Sequence, residues 1–221
     1  MVKRVVPLRE PIPLTIELFT TMHIVFVVLA YLVGSIPFGL LIGKMQGIDI
    51  RKYGSGNIGT SNVARTLGKK AAIQTLLGDG LKGLVMVVLA RALFTDERWI
   101  VAVAVATVIG HNWSIYLRFK GGKGVTTTYG AYLGLAWLPA LATIAAWLVI
   151  TKATNKASIA ALTSSLCAPV FALLFGSSMP VLVFSVLGLL MIYIRHGENI
   201  KRLLAGKENT LSKTNDVEQE E

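Results

Sequence analysis

Cysteine is almost missing from the sequence: Cys167 is the only one in 221 residues. A single thiol provides neither a disulfide framework nor a thiolate metal cluster. Cys167 lies in an apolar stretch, where cysteine usually packs as a small hydrophobic side chain. No thiol or redox chemistry is therefore predicted.

Charged residues are scarce as well, at 15% against 53% hydrophobic residues, with a mean hydropathy of +0.62. The charges lie between apolar runs that are long enough to span a membrane. This pattern is typical of an all-α, polytopic integral membrane protein. The net charge is +10, but the basic residues lie in short loops rather than on one soluble face. The positive-inside rule accounts for that excess, so no nucleic-acid partner is predicted.

Several catalytic and ligand-binding patterns are missing from the sequence. It contains no Walker motif, no Ser-His-Asp signature and no His-Glu-x-x-His metal motif. We therefore predict no metal and no cofactor.

The apolar runs set the predicted topology. They cover about 22–42, 71–93, 99–116, 125–150, 157–175 and 179–194. Basic residues precede the first run, as in a signal peptide, but the uncharged stretch is too long for one, so a retained first span is predicted. The run 125–150 is the longest and has Pro139 in its middle, which indicates a broken pair of short helices. The prediction is seven membrane segments, of which the fourth and fifth are short.

The polar loop after the first run orients the chain. Against a single acidic residue, Asp49, it contains Arg51, Lys52, Arg65 and Lys69. We expect this loop to be cytoplasmic, which puts the N-terminus outside and the C-terminus in the cytoplasm. The predicted organisation is an N-terminal extension at 1–21, one membrane-embedded domain at 22–208 and a disordered polar tail at 209–221.

Asp79 and Lys82 place opposite charges one helical turn apart inside the second run. The simplest interpretation is a structural ion pair that keeps both groups satisfied.

The first of three polar clusters covers residues 55–65. Its hydroxyls, amides and glycines suit a loop folded around an oxyanion, and Arg65 can hold a phosphate through two parallel N–H bonds. The alternative is a turn followed by a helix that Ser61 or Asn62 caps, with Arg65 only setting orientation. The composition leaves both interpretations open.

The second cluster is the Lys-Gly-Gly-Lys-Gly loop at 120–124, between two apolar runs. Ammonium groups beside hydrocarbon require an anionic partner, and glycines let backbone N–H groups approach a ligand closely. Phosphate is predicted as that ligand. His111 precedes the loop, and a single histidine at a helix end is more often structural than a ligand or base, so we interpret it as structural.

The third cluster covers residues 195–208. On a helix, His196, Asn199 and Leu203 would share a face, so the imidazole and the amide can point into one site. Taken alone, the segment is a basic stretch that holds anionic lipid. The predicted topology places all three clusters on one membrane face, which favours a joint site.

Together these clusters resemble a known family, the bacterial acyl-phosphate:glycerol-3-phosphate acyltransferases. The matching pieces are Gly34-Ser35-Ile36-Pro37; Ser55-Gly56-Asn57 with Gly59, Asn62 and Arg65; Asp79 with Leu81-Lys82-Gly83; Gly110-His111; Phe119-Lys120-Gly121-Gly122-Lys123-Gly124; and Arg195-His196 with Asn199-Ile200, Arg202-Leu203, Gly206 and Glu208. They are in order and cover most of the chain.

The resemblance implies transfer of a fatty acyl group from acyl phosphate to the 1-hydroxyl of sn-glycerol 3-phosphate. The products would be lysophosphatidic acid and phosphate, in the first step of phospholipid biosynthesis. It also implies a multi-pass protein of the bacterial inner membrane whose site faces the cytoplasm. The expected partners are the two substrates, the lipid bilayer and a soluble enzyme that produces the acyl phosphate.

The same resemblance implies the site residues. The catalytic residues would be Ser55, Arg65, Lys123, His196 and Asn199. The substrate phosphate would be bound by Ser55, Asn57, Asn62, Arg65, Gly121, Gly122, Lys123 and Gly124. His111 and Glu208 would be structural residues near the site. Either His196 or a bound phosphate oxygen would take the hydroxyl proton, and the sequence leaves both open.

Two other functions use similar groups. A transporter for a phosphorylated solute also needs cations and broken helices, although transporters tend to show paired repeats and a site near the bilayer midplane. A lipid-binding scaffold without turnover is the third hypothesis.

Overall fold

The computed structural model describes residues 14–211, and these residues form helices and connecting loops without any strand. The α-helices are α1 Leu14–Gly34, α2 Phe38–Met45, α3 Thr60–Leu93, α4 Glu97–Asn112, α5 Val125–Leu135, α6 Trp137–Thr154, α7 Ala157–Leu174, α8 Met179–Arg195 and α9 Gly197–Leu204. Short 3-10 turns cover Ile50–Lys52 and Ile115–Leu117. The all-α prediction is confirmed.

Both predicted terminal regions lie partly outside the described residues. Residues 1–13 of the predicted extension and 212–221 of the predicted tail fall outside them. Residues 14–21 already belong to α1, so the first helix begins earlier than the predicted span. The described part of the tail lies against the rest of the chain, because Leu211 N–H donates to Asn155 O at 3.0 Å.

Four segments of the described chain are long and apolar enough to cross a membrane. They are Thr21–Met45, Glu97–Leu117, Trp137–Thr154 and Ala157–Leu174. A fifth arises if α8 and α9, which are bent by 62°, count as one span. Helix α3, with Asp79 and Lys82 in its middle, is not among them, and the 11 residues of α5 extend only about 17 Å. A multi-pass membrane protein is thus supported, while seven segments and their orientation stay predictions.

The run 125–150 is broken, as predicted, but at Ala136 rather than at Pro139. Ala136 has extended dihedrals, φ −154° and ψ 96°, and separates α5 from α6. Pro139 lies in the first turn of α6, where its missing N–H costs little because first-turn N–H groups have no partner within the helix. The expectation of a short fifth segment is wrong, because α6 has 18 residues and extends about 27 Å.

Glycines allow α3 and α5 to touch backbone to backbone. A Cβ added at Gly130 would lie 2.0 Å from Gly80 O, and one at Gly83 would lie 2.4 Å from Thr127 O. No side chain fits in that space, as in other small-residue interfaces of membrane helices. This contact places the start of α5 beside the middle of α3.

The core lies between α1, α3, α4, α5 and α8. Its fully buried side chains include Val87, Val103, Val108, Tyr132 and Phe184. Large apolar side chains on the outer faces of α6, α7 and α8 are instead exposed, as is usual for residues that face lipid.

Candidate active site

A cavity of about 430 Å³ joins all three polar clusters to an apolar groove. Most of its polar lining residues lie in loops or near helix ends, namely Ser55, Asn57, Arg65, Lys123, His196, Asn199, Arg202 and Glu208, whereas Asp79 lies in the middle of α3. Its apolar lining residues lie within α3, α5 and α6: Leu76, Leu77, Leu81, Leu84, Leu133, Ile144, Trp147 and Leu148. The cavity therefore suits a ligand with a polar head and an apolar tail.

Asn62 holds the loop that carries Ser55. Its buried amide nitrogen donates to Ile50 O at 3.3 Å and Tyr53 O at 3.1 Å, and its Oδ1 accepts from Ser55 N–H at 2.9 Å. Asn62 lines the cavity, but these bonds give it the geometry of a loop support. The alternative in which Ser61 or Asn62 caps the helix is wrong, because α3 begins at Thr60 after Gly59.

Arg65 lies beside Ser55, as the first cluster predicts. Its Nη2 is 3.4 Å from Ser55 Oγ and 3.4 Å from Asn62 Oδ1, and its Nη1 is 3.4 Å from Thr210 O. Asn57 folds the same loop, because its Oδ1 accepts from Gly59 N–H at 2.9 Å. The hydroxyl and the guanidinium therefore lie side by side at the cavity.

The glycine loop is packed directly on His111. Gly122 N–H donates to His111 O at 3.0 Å. A Cβ at Gly121 would lie 2.1 Å from that carbonyl oxygen, and one at Gly122 would lie 2.2 Å from His111 Nε2. Arg195 holds the loop from the other side, since Nε and Nη2 donate to Gly122 O and Gly121 O at 3.0 and 2.8 Å. This role of Arg195 was not predicted from the sequence. Its position next to His196 was the only signal that Arg195 lies near the site.

The end of the glycine loop presents unused backbone donors. Within residues 14–211, the N–H groups of Gly121, Lys123 and Gly124 donate to no other group. Gly124 has φ 78° and precedes α5, whose first-turn N–H groups have no partner within the helix. A helix N-terminus that follows such a loop favours an anion.

Lys123 begins a chain of hydrogen bonds into the third cluster. Its ammonium donates to Asn199 Oδ1, and Asn199 Nδ2 donates to Glu208 Oε1 at 2.7 Å. Arg202 Nε donates to Glu208 Oε2 at 3.1 Å. Burial, followed by repulsion from Arg202, lowers the pKa of Lys123 to about 8. Glu208 thus positions Asn199 and Arg202. Because the pKa of Lys123 is about 8, its ammonium loses its charge only a little above neutral pH.

His196 lies between α8 and α9 with a defined tautomer. Its Nδ1 is 2.8 Å from Ile192 O, and because a carbonyl can only accept, Nδ1 carries the proton. Burial, followed by repulsion from Lys123, lowers the pKa of His196 to about 4. The neutral imidazole therefore offers an unprotonated Nε2 as a hydrogen-bond acceptor.

The predicted ion pair between Asp79 and Lys82 is confirmed, and His111 joins it. Lys82 Nζ lies 2.8 Å from Asp79 Oδ1, 2.9 Å from His111 Nδ1 and 2.8 Å from Ile36 O. All three side chains are buried, and both Asp79 and His111 line the cavity. The spacing of Asp79 and Lys82 predicted their ion pair, but nothing in the sequence indicated that His111 contacts it.

Fold and site together define a class: a multi-pass helical membrane protein whose cavity suits an anionic head group joined to an apolar chain. The model of the family described as "Glycerol-3-phosphate acyltransferase" matches residues 24–206. The glycerol-3-phosphate acyltransferase of Rubrobacter xylanophilus is 44% identical over 187 residues, which cover 85% of this chain and 94% of that protein. That of Geotalea daltonii is 42% identical over 193 residues, which cover 87% of this chain and 100% of that protein.

Solved structures agree with these matches. The chain is similar to PlsY (YgiH), an integral membrane glycerol 3-phosphate acyltransferase, in its glycerol 3-phosphate form, with a TM-score of 0.82 and 37% identity over 86% of this chain and 95% of that chain. The lysophosphatidic acid form gives a TM-score of 0.81, 36% identity and the same coverage. The chain belongs to the glycerol-3-phosphate acyltransferase family. It is an integral membrane acyltransferase of lipid biosynthesis, which confirms the resemblance.

Proposed function

We propose that the protein transfers a fatty acyl group from acyl phosphate to the 1-hydroxyl of sn-glycerol 3-phosphate, giving lysophosphatidic acid and inorganic phosphate. The observation that carries this proposal is the cavity that joins a cationic head site to an apolar groove. The names of the relatives support glycerol 3-phosphate as the acceptor. We further propose that the site faces the cytoplasm, where both anionic substrates are available.

The head site binds phosphate groups. Arg65 supplies a planar pair of N–H donors next to Ser55 Oγ, and Lys123 supplies an ammonium beside unused loop N–H groups. Asn57 and Asn62 shape the first loop, while Gly121, Gly122 and Gly124 shape the second. Each of the two substrates carries one phosphate, so the head site must hold two phosphates, and these contacts suit that.

The groove binds the acyl chain. Its walls are leucines of α3 together with Leu133 of α5 and Trp147 of α6. Several wall residues are half exposed to the surrounding medium, with Leu77 at 51% and Leu148 at 56%. In a bilayer that medium is hydrocarbon, so the chain enters the groove from the side without crossing water.

Acyl transfer at this site needs charge stabilisation more than covalent chemistry. The hydroxyl oxygen attacks the carbonyl carbon, the new ester bond forms, and the bond from that carbon to the phosphate oxygen breaks. The leaving phosphate gains negative charge next to Arg65 and Lys123, so these fixed cations lower the barrier. Holding both substrates in one cavity provides the remaining rate enhancement through proximity.

We propose that His196 receives the hydrogen bond of the attacking hydroxyl. Its unprotonated Nε2 can accept the hydroxyl hydrogen bond and orient the attack, while Asn199 holds Lys123. With a pKa of about 4, His196 is a weaker base than a phosphate group, whose second pKa is about 6. We therefore propose that a substrate phosphate oxygen takes the proton and that His196 positions the hydroxyl.

A donor comparison tests the proposal. Purified protein in detergent receives palmitoyl phosphate or palmitoyl-coenzyme A, with and without glycerol 3-phosphate, and released phosphate or thiol is measured together with lipid product. We expect phosphate release only with palmitoyl phosphate and only in the presence of glycerol 3-phosphate. Efficient use of palmitoyl-coenzyme A would reject acyl phosphate as the specific donor. Phosphate release without glycerol 3-phosphate would reject acyl transfer to that acceptor.

A matched pair of lysine variants tests the site. Lys123→Ala removes a half-buried ammonium from the cavity, whereas Lys120→Ala removes an exposed one three residues earlier in the same loop. We expect kcat/KM to fall at least about 100-fold in Lys123→Ala, because a cation that holds developing charge is lost, and to change little in Lys120→Ala. Equal effects would contradict the proposed site.

A further inference from the structure

We propose that His111 is a catalytic residue whose Nε2–H donates a hydrogen bond to the carbonyl oxygen of the acyl group as that oxygen gains negative charge. This inference rests on the proposed function. It changes the sequence-based interpretation of His111 from a structural residue to a donor at the reacting atoms.

Lys82 fixes the tautomer of His111. A lysine ammonium has three N–H donors, and Lys82 Nζ has three neighbours that accept: Ile36 O at 2.8 Å, Asp79 Oδ1 at 2.8 Å and His111 Nδ1 at 2.9 Å. Asp79 Oδ1 lies 3.5 Å from His111 Nδ1, farther than Lys82 Nζ, so Nδ1 accepts from the ammonium and the single proton of the neutral ring lies on Nε2. Asp79 balances the charge of Lys82, so the pair fixes this proton without adding net charge at the site.

The Nε2 edge of the His111 ring lies against Gly122 of the glycine loop, and His111 lines the cavity beside it. A Cβ at Gly122 would lie 2.2 Å from this nitrogen, so the ring lies directly against the loop one residue before Lys123. Within the described residues 14–211, Nε2 donates to no group, and His111 lines the cavity. His196 has the opposite tautomer, with an accepting Nε2. The cavity thus has one imidazole that donates and one that accepts.

Substrate chemistry places the acyl carbonyl beside this donor. The carbonyl carbon is bonded to the acyl chain on one side and to a phosphate oxygen on the other, so it must lie where the apolar groove meets the phosphate site. Asp79 and His111 line the cavity next to Gly80 and Leu81 of the groove wall and close to Lys123 of the head site. A fixed neutral donor at that junction stabilises an oxyanion without competing for phosphate.

Three variants test the role of His111. His111→Phe keeps the ring shape but removes the donor, His111→Gln places an amide N–H near the position of Nε2, and His111→Asn places one near Nδ1. We expect kcat to fall about 100-fold in His111→Phe and His111→Asn, with the KM values for both substrates changed less than about threefold, and His111→Gln to recover about tenfold of the loss. Thermal unfolding in detergent checks the fold. If His111→Phe fails to fold, the comparison of His111→Gln with His111→Asn tests the role, because both side chains are polar and differ in where they place the amide N–H.

Ring nitrogen NMR provides an independent measurement. The chain has three histidines, His23, His111 and His196, so protein labelled with 15N-histidine gives a spectrum that single variants assign. We expect Nε2 to be protonated in His111 and Nδ1 in His196. The proposal is overturned by an Nδ1 proton on His111, by wild-type kcat in His111→Phe, or by a raised KM for glycerol 3-phosphate with unchanged kcat, which would indicate a phosphate contact. Absence of turnover in the wild type would instead reject the proposed function.

Discussion

Arg65 joins the first cluster to Thr210, near the end of the described residues, because its guanidinium lies 3.4 Å from both Ser55 Oγ and Thr210 O. A lysine ammonium is a point charge and cannot reproduce this planar fork. We expect Arg65→Lys to raise the KM for glycerol 3-phosphate about tenfold or more, measured by initial rates in detergent. Arg51→Lys is the matched control, since Arg51 is exposed and pairs with Asp49 away from the cavity. Wild-type kinetics in Arg65→Lys would show that Arg65 only holds the loop.

Lys123 gives the reaction a pH dependence. With a pKa of about 8, its ammonium is present below pH 8 and is lost as pH rises through that value. A bound phosphate dianion stabilises the charged form, so the loss affects the free enzyme and appears in kcat/KM more than in kcat. Lys123→Arg keeps its charge over this range, so its profile should lack the alkaline fall in kcat/KM. The same fall in both proteins would assign it to another group.

Gly122 leaves no room for a side chain above His111. In Gly122→Ala the new Cβ would lie 2.2 Å from Nε2, so the imidazole must move. We expect kcat to fall about 100-fold, as in His111→Phe. Adding His111→Ala removes the colliding ring, so the double variant should be no slower than His111→Ala alone, a non-additive result that kinetic measurement of the four proteins detects. Additive losses would show that Gly122 acts independently of His111.

The sequence predicted which side chains meet but not what holds them. Ser55, Arg65, Lys123, His196 and Asn199 line one cavity, as their polarity between apolar runs indicated. Their predicted roles stay predictions. The contacts of Arg195 with two loop carbonyls and of Lys82 with Ile36 O were not predictable, because their partners are backbone atoms that carry no residue identity.

At the scale of elements, the contact between α3 and α5 controls where the glycine loop ends. Gly130→Ala would place a Cβ 2.0 Å from Gly80 O, so the helices must separate. We expect a loss of about 1–3 kcal/mol of stability, seen as a lower melting temperature in detergent, with reduced activity. Gly197→Ala is the control, because a Cβ there meets nothing within 4 Å. An unchanged melting temperature in Gly130→Ala would contradict the close contact.

Apolar runs predicted some helices well and their interruptions less well. The runs located α4, α7 and α8 within a few residues, whereas α1 begins at Leu14 and α3 at Thr60, well before the predicted starts at 22 and 71. The break at Ala136 was not located, since alanine favours helices, and the nearby Pro139 is tolerated in the first turn of α6. The interruption of α3 at Gly68, with φ 83°, is of the same kind, although glycine at least permits that conformation.

Cysteine labelling can test the orientation of the whole molecule in the membrane. Cys167 is the only cysteine, so Cys167→Ala gives a background for single cysteines at Lys120, Ser178 and Lys207, all exposed. We expect Lys120→Cys and Lys207→Cys to react with a membrane-impermeant maleimide only in inside-out vesicles, and Ser178→Cys only in right-side-out cells. Labelling of Lys120 and Lys207 from opposite sides would exclude a shared site.

The half-exposed leucine walls of the groove have a consequence for kinetics. In the proposed reaction, the protein meets acyl phosphate by lateral diffusion in two dimensions, so the relevant concentration of this donor is moles of acyl phosphate per mole of surrounding amphiphile. Diluting a fixed amount of acyl phosphate with extra detergent should slow turnover although the amount per volume is unchanged, whereas glycerol 3-phosphate, which arrives from bulk water, keeps its ordinary molar KM.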